Sequence, residues 1–178
     1  MKIIIVGGVA GGASCAARLR RLDEKAEILM VERGPYVSYA NCGLPYHVGG
    51  SIEQESSLLV ATEQTFRETF AIDCRTRCEV VGIAAAQKTV ELKNLVNGEV
   101  TTETYDKLVL SPGAAPVRPP LPGIDLPGIF SLRTVPDART IREWLARGTE
   151  DQSGMHTYSG YQTVLPAKRA VVVGGGFI

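Results

Sequence analysis

The chain has 178 residues, 44% of them hydrophobic and 21% charged, with 19 lysines plus arginines against 19 aspartates plus glutamates. That length holds one domain with a substantial core and is too short for two ordinary ones. Balanced charge excludes a global field that would draw the chain to nucleic acid or an anionic membrane, and no apolar run reaches the ~18 residues of a membrane span.

Met1-Lys2 leads directly into an apolar run with no secretory leader. The four cysteines, Cys15, Cys42, Cys74 and Cys78, form no dense framework. Both features predict a protein of the reducing cytoplasm. Cys74 and Cys78 have no accompanying histidine or second cysteine pair, so they read as strand residues and not as metal ligands.

"KIIIV" (2–6) is short, apolar and rich in β-branched residues, which predicts a buried parallel strand. "GGVAGG" follows, then "ASCAARLRRL" with helical composition, then a second apolar run, "EILMVE" (27–32), ending in an acid. Strand, glycine turn, helix and strand make one βαβ unit. "TEQTFRETFAI" (62–72) predicts a helix opened by Thr62.

Between 73 and 111, "CEVVGIAA", "KTVELKNL", "EVTTETY" and "KLVLS" read as short strands, and Asn97-Gly98 is a hairpin signal. An antiparallel meander, placed at about 73–105, is thus expected inside an α/β, Rossmann-like fold with a parallel sheet. Pro112, Pro116, Pro119, Pro120, Pro122 and Pro127, with Pro136 just beyond, mark an extended connector. "PDARTIREWLARG" (136–148) predicts a helix stopped by Gly148, and 149–166 a polar loop. The final "RAVVVGGGFI" is a fresh strand running into a glycine turn with no helix after it. It predicts the doorway of a second nucleotide-binding domain, begun at 169 and cut short.

The glycine turn has a physical reading. Gly7 permits the sharp exit from the strand, and Gly12 lets the helix pack close to the sheet. Helix-start amides then face a pyrophosphate along Val9, Ala10 and Gly11. Val9 replaces the usual middle glycine and leaves the ligand slightly less room. Glu32, 20 residues past Gly12, is placed to accept hydrogen bonds from ribose hydroxyls. Two such turns in one chain predict FAD at the first and a nicotinamide cofactor at the second.

With "VGGVAGG", "VERG" (31–34), "CEVVGI" (78–83) and "YDKLVLSPGAAP" (105–116), the chain resembles the FAD domain of the pyridine nucleotide–disulfide oxidoreductases. The resemblance implies an FAD-binding domain over 1–148, a linker over 149–168 and a truncated NAD(P)H-binding domain from 169. It implies cofactor contacts at Gly7, Val9, Ala10, Gly11, Gly12, Glu32, Arg33 and the Val80 backbone. Ser111, Pro112 and Gly113 correspond to the family's second FAD stretch, where Gly113 lets backbone pass the flavin's phosphate side.

"SYANCGLPYHVGG" (38–50) carries the chemistry that the resemblance implies. Glutathione-reductase-type members have two redox cysteines with four residues between them, whereas here Val37 and His47 occupy the flanking positions. The single-cysteine branch matches instead: coenzyme A–disulfide reductases, NADH-dependent persulfide reductases, and NADH oxidases and peroxidases. "NCGLPY" is most similar to the first two. Oxidases and peroxidases usually carry a histidine in the glycine loop, where this chain has Ala10.

Cys42 is therefore expected to be the redox residue, at the start of a short helix with Pro45 in its first turn. Cys15, Cys74 and Cys78 are expected to be packing residues. Ser38 and Asn41 are expected to touch the pantetheine arm, and Arg18 and Arg21, three apart on one helix face with Ser14 a turn earlier, the phosphates of coenzyme A. His47 is expected to be hydrogen-bonded and structural. The implied partners are a small thiol or disulfide and, for a full-length parent, a second copy in a homodimer. An NADH oxidase cycling Cys42 through sulfenic acid is the alternative enzyme. A nucleotide-binding module without turnover is the alternative outside enzymes.

Overall fold

The computed structural model describes residues 1–150 and 169–174, and the side chains of 1–146 and 169–174. The loop expected at 149–166 falls, from residue 151 on, outside the described residues, as do Gly175 and Gly176 of the final glycine run. Seven strands are described: β1 (Lys2–Val6), β2 (Glu27–Val31), β3 (Asp73–Arg75), β4 (Cys78–Ala84), β5 (Thr89–Asn94), β6 (Val100–Thr104) and β7 (Lys107–Leu110). The α-helices are α1 (Ala10–Leu22), α2 (Leu44–Val48), α3 (Glu63–Phe70) and α4 (Val135–Glu150). The chain divides into two compact units, Met1–Tyr39 with Leu59–Ala114, and Ala40–Leu58 with the residues from Ala115 onward.

In the first unit, β3-β2-β1-β7 form a sheet in which every neighbouring pair is parallel. Ile4 stands in register with Leu29 on one side and Leu108 on the other. The run "KIIIV" is apolar throughout because both faces of the sheet are covered. Ile3, Ile5, Ile28 and Met30 pack with Ala13 and Ala16 of α1 and Phe66 of α3. Ile4, Leu29 and Val31 face the other way, onto Cys78, Val90 and Leu92 of the second sheet. Each fully buried Ile, Leu or Met contributes about 1.5–3 kcal/mol as an upper bound.

The second sheet, β4-β5-β6, is the antiparallel meander, with a bulge between Val80 and Gly82. Two segments of the 73–111 stretch lie outside it. Asp73–Arg75 pairs in parallel with β2, and Lys107–Leu110 in parallel with β1. The physical reason is visible in "KLVL": a short apolar run suits a two-sided parallel strand better than a half-solvated meander strand. The Asn97-Gly98 hairpin forms, but as a longer loop. Asn94 and Glu99 close it through Asn94 N–H on Glu99 O at 2.8 Å, and only Gly98 takes a positive φ of 77°.

The α3 helix opens as expected, with Thr65 N–H donating to Thr62 Oγ1 at 3.1 Å, and its last residue hands over to Ala71 in the left-handed region. A charge network ties the meander to the parallel sheet. Glu103 on β6 accepts from Lys2 Nζ at 2.7 Å and from Arg75 Nη1 at 2.9 Å. The Lys2 bond first, then the Arg75 bond, holds the Glu103 carboxyl below the usual carboxylate range against the opposing cost of burial. A depressed carboxylate pKa lends stability present above its unfolded value and lost as pH falls through the folded one. Glu103→Gln should therefore lower the melting temperature at pH 7, and the gap to wild type should shrink below about pH 4. Thermal melts at pH 7 and pH 3 check this.

In the second unit, a 3₁₀ turn (Asn41–Gly43) runs into α2, and a second 3₁₀ turn spans Glu55–Leu58. Leu44 and Leu58 are fully buried. A Cβ on Gly43 would lie 2.9 Å from Leu58 Cδ2, so a side chain there would push the end of Leu58 aside. Arg139 of α4 grips Glu55 with two bonds, at 2.7 and 2.6 Å, and Arg142 donates to Glu53 O at 2.7 Å. His47 is buried, its Nδ1 at 2.7 Å from Ile52 O and 2.9 Å from Arg142 Nη1.

Helix α4 starts on a reciprocal cap, Thr134 N–H to Asp137 Oδ2 at 2.8 Å and Asp137 N–H to Thr134 Oγ1 at 3.3 Å. It does not stop at Gly148 but continues to Glu150. A helical glycine costs only ~1 kcal/mol against alanine, too little to end an established helix by itself. Residues 169–174 carry no strand, and Val171, Val172 and Val173 are exposed. An apolar run becomes a strand only with a neighbour to pair with, and none is present among the described residues.

Candidate functional site

The turn from β1 into α1 lies at the end of a strand whose neighbours, β2 and β7, flank it on opposite sides. This is the switch point where open parallel sheets form their crevice. Gly7 takes φ +94°, and a Cβ there would lie 2.0 Å from the carbonyl oxygen of Ser111. At Gly12 a Cβ would lie 1.7 Å from the Gly7 carbonyl oxygen. Both glycines are thus required by backbone that passes within contact, where any side chain collides. A Cβ on Gly11 meets only the Ser111 side chain, 3.4 Å away at Oγ.

The residues suit a pyrophosphate. Val9, at the N-cap of α1, makes no side-chain capping bond, and the first turn holds no acid. Helix-start amides lacking intrahelical acceptors remain to bind an anion. Glu32 is fixed at the end of β2, its Oε2 accepting from Gly8 N–H and its Oε1 from Gly34 N–H, each at 2.7 Å. Each oxygen keeps a further lone pair for a hydroxyl. Ser111 follows β7, its N–H on Val6 O at 2.7 Å, so the turn meets the stretch Ser111, Pro112 and Gly113 (φ 73°). Arg33 is exposed and pairs with Glu79 at 3.5 Å, and Val80 stands beside the bulge of β4.

A second feature of the same unit is a groove of about 340 Å³ between α1 and α3. Ser14, Arg18, Arg21 and Ser38 all line it, together with Phe66 and Phe70. Arg18 and Arg21 are exposed and form no ion pair among the described residues. Ser38 holds a left-handed φ of 44°, anchored by its N–H on Gly8 O and by Val60 N–H on its own carbonyl. Asn41 does not line the groove; it stands beside Cys42 in the 3₁₀ turn of the second unit. The aromatic wall of the groove was not expected from sequence. Its signal was the spacing of Phe66 and Phe70, four apart on a helix, with ring centroids 5.7 Å apart.

Of the four cysteines, all free thiols, only Cys42 is exposed. It precedes α2 instead of opening it, inside a turn closed by Gly43 N–H on Ala40 O at 2.9 Å. A buried Gly43-Leu44 behind it fixes the backbone while the thiol faces solvent. Burial pushes the Cys74 thiol up to about 12 and also raises that of Cys78. Thiolate is the reactive form, so brief iodoacetamide treatment of the native protein should label Cys42 and spare Cys74 and Cys78. Peptide mass spectrometry reads the result. Among the described residues no group of three His, Cys, Asp or Glu could hold a metal ion, and no helix is long and apolar enough to cross a membrane.

A parallel sheet with a glycine turn at its switch point, an inserted meander and one exposed cysteine define the architecture of a flavoprotein-type disulfide oxidoreductase domain. The model of the pyridine nucleotide-disulphide oxidoreductase family matches residues 1–178, and the chain belongs to that family. Against the coenzyme A disulfide reductase of Staphylococcus haemolyticus (strain JCSC1435) it is 38% identical over 177 residues, 99% of this chain and 36% of the relative. The chain thus spans about a third of the length of the curated relatives it matches. Among solved structures, the reduced CoADR-RHD of Bacillus anthracis superposes with a TM-score of 0.81 at 50% identity, covering 83% of this chain and 27% of that one. An NAD-dependent persulfide reductase from A. fulgidus gives 0.79 at 37% identity, over 83% and 28%.

Proposed function

We propose that the protein is the FAD-binding part of an NAD(P)H-dependent reductase of coenzyme A disulfide or a related persulfide, with Cys42 as its redox residue. In this reading residues 1–148 serve FAD, 149–168 link, and the residues from 169 open the NAD(P)H-binding domain. The observation that carries it is the groove gathering Ser14, Arg18, Arg21 and Ser38. Two exposed guanidinium groups on one helix face suit the clustered phosphates of a coenzyme A nucleotide, and an aromatic wall suits its base.

Chemically, the Cys42 thiolate attacks one sulfur of the disulfide. A Cys42–S–S–coenzyme A bond forms, the substrate S–S bond breaks, and coenzyme A leaves as thiolate and takes a proton from water. With a persulfide, attack at the carbon-bearing sulfur releases hydrosulfide instead. FAD would be held by the Gly7–Gly12 turn, Glu32 and Ser111–Gly113, and would supply the electron pair, drawn from NAD(P)H, that breaks the Cys42–coenzyme A disulfide into the Cys42 thiolate and a second coenzyme A thiolate.

Calorimetric titration with coenzyme A tests the reading. The wild-type protein should bind it, and Arg18→Ala with Arg21→Ala should weaken binding by about tenfold or more, since each lost charged contact is worth ~1.5 kcal/mol. Equal affinity of the double variant and wild type would remove the groove from the substrate site.

A further inference from the structure

The geometry points to Arg20, which lies outside the groove, as the residue that sets its width and so its selectivity for the nucleotide end of coenzyme A; this rests on the reading of the groove given above. Arg20 sits between the two groove arginines in sequence but is directed elsewhere. Its Nε donates to Phe70 O at 2.8 Å and its Nη2 to Ala71 O at 2.8 Å, both at the end of α3. Its Nη1 donates to Glu24 O at 2.7 Å and to Asp23 O at 3.2 Å, just past the end of α1. One planar guanidinium thus ties the ends of the two helices that form the groove walls.

One carbonyl that it grips is that of Phe70, whose side chain lines the groove. The next, Ala71, is the left-handed residue (φ 49°) that ends α3. A non-glycine residue holds that conformation only when its surroundings fix it, and here the Arg20 bond and Ile72 N–H on Phe66 O at 3.0 Å do so. Lysine cannot substitute. Its three donors radiate from one atom, whereas Arg20 spreads its bonds over three nitrogens toward four carbonyls. Without the tie, the Phe70 wall is free to move away from Ser14, Arg18 and Arg21.

Binding measurements distinguish this from a general structural role. Arg20→Lys should raise the dissociation constant for coenzyme A by about fivefold or more, while that for FAD stays within twofold of wild type. In Phe70→Ala the wall is already gone, so adding Arg20→Lys should cause no further loss. Independent, multiplying losses in the double variant, or an unchanged constant in Arg20→Lys, would overturn the inference. If Arg18→Ala with Arg21→Ala also leaves coenzyme A binding unchanged, the groove assignment itself has failed. If that pair weakens binding and Arg20→Lys does not, only the role of Arg20 has failed. Should Arg20→Lys not fold, the wild-type protein still decides: the Arg20 Nε–H resonance should exchange slowly with solvent with and without coenzyme A, and fast exchange would show the tie open.

Discussion

Replacing Cys42 by serine should lower turnover of coenzyme A disulfide in the protein that carries the complete reductase by about 10³-fold or more, the loss expected when a covalent nucleophile is removed. FAD binding should be unchanged, because Cys42 belongs to the 3₁₀ turn Asn41–Gly43 and not to the glycine turn of β1 and α1. The substitution is nearly isosteric at an exposed position, so the fold should tolerate it. Mass spectrometry after incubation with coenzyme A disulfide gives a second readout: one coenzyme A per wild-type chain and none on Cys42→Ser. Full activity in Cys42→Ser, or an adduct on Cys15 instead, would reassign the redox residue. A cysteine product that adds oxygen and not coenzyme A would favour the oxidase chemistry.

The second large effect belongs to Gly12. Its Cβ position lies 1.7 Å from the Gly7 carbonyl oxygen, a backbone atom that moves only if α1 shifts away from β1. Gly12→Ala should cost about 4 kcal/mol or more, the range reached when a substitution forces backbone apart, and FAD affinity should be lost with it. Gly11→Ala is the control. The nearest atom to its Cβ is the movable Ser111 Oγ at 3.4 Å, and alanine is favoured over glycine in a helix by ~1 kcal/mol. Urea melts should therefore separate the two variants cleanly, with Gly11→Ala at or above wild-type stability. Flavin fluorescence then reports how closely the cofactor approaches Gly11.

The parallel core was legible because its signal is local. "KIIIV" and "EILMV" are short runs apolar at almost every position, and only a strand covered on both faces needs that. Lys107–Leu110 was harder, since its partner, β1, lies a hundred residues earlier and nothing in "KLVL" states orientation. Similarly, Asn97-Gly98 marked a reversal, but the length of the loop depended on how Asn94 and Glu99 close it. At the site, glycines and the acid at 32 follow a spacing that chemistry imposes, so they were readable. Phe66, Phe70 and the carbonyl-gripping Arg20 were not, because their roles arise from two helices meeting at positions fifty residues apart.

One feature of the chain path bears on how such proteins diversify. The segment bearing Cys42 leaves and rejoins the chain at a narrow neck, where Tyr39 and Leu59 form an isolated antiparallel bridge and Ala40 N–H meets Leu58 O at 2.8 Å. Closing a loop whose ends are already held adds little entropy cost as its length varies. Residues 40–58 therefore leave the sheet at one neck, while Glu55 and the Glu53 carbonyl tie them to Arg139 and Arg142 of α4. A replacement segment of different length should keep the flanking backbone paired and ask no redesign of the sheet, provided that it still offers acceptors to Arg139 and Arg142.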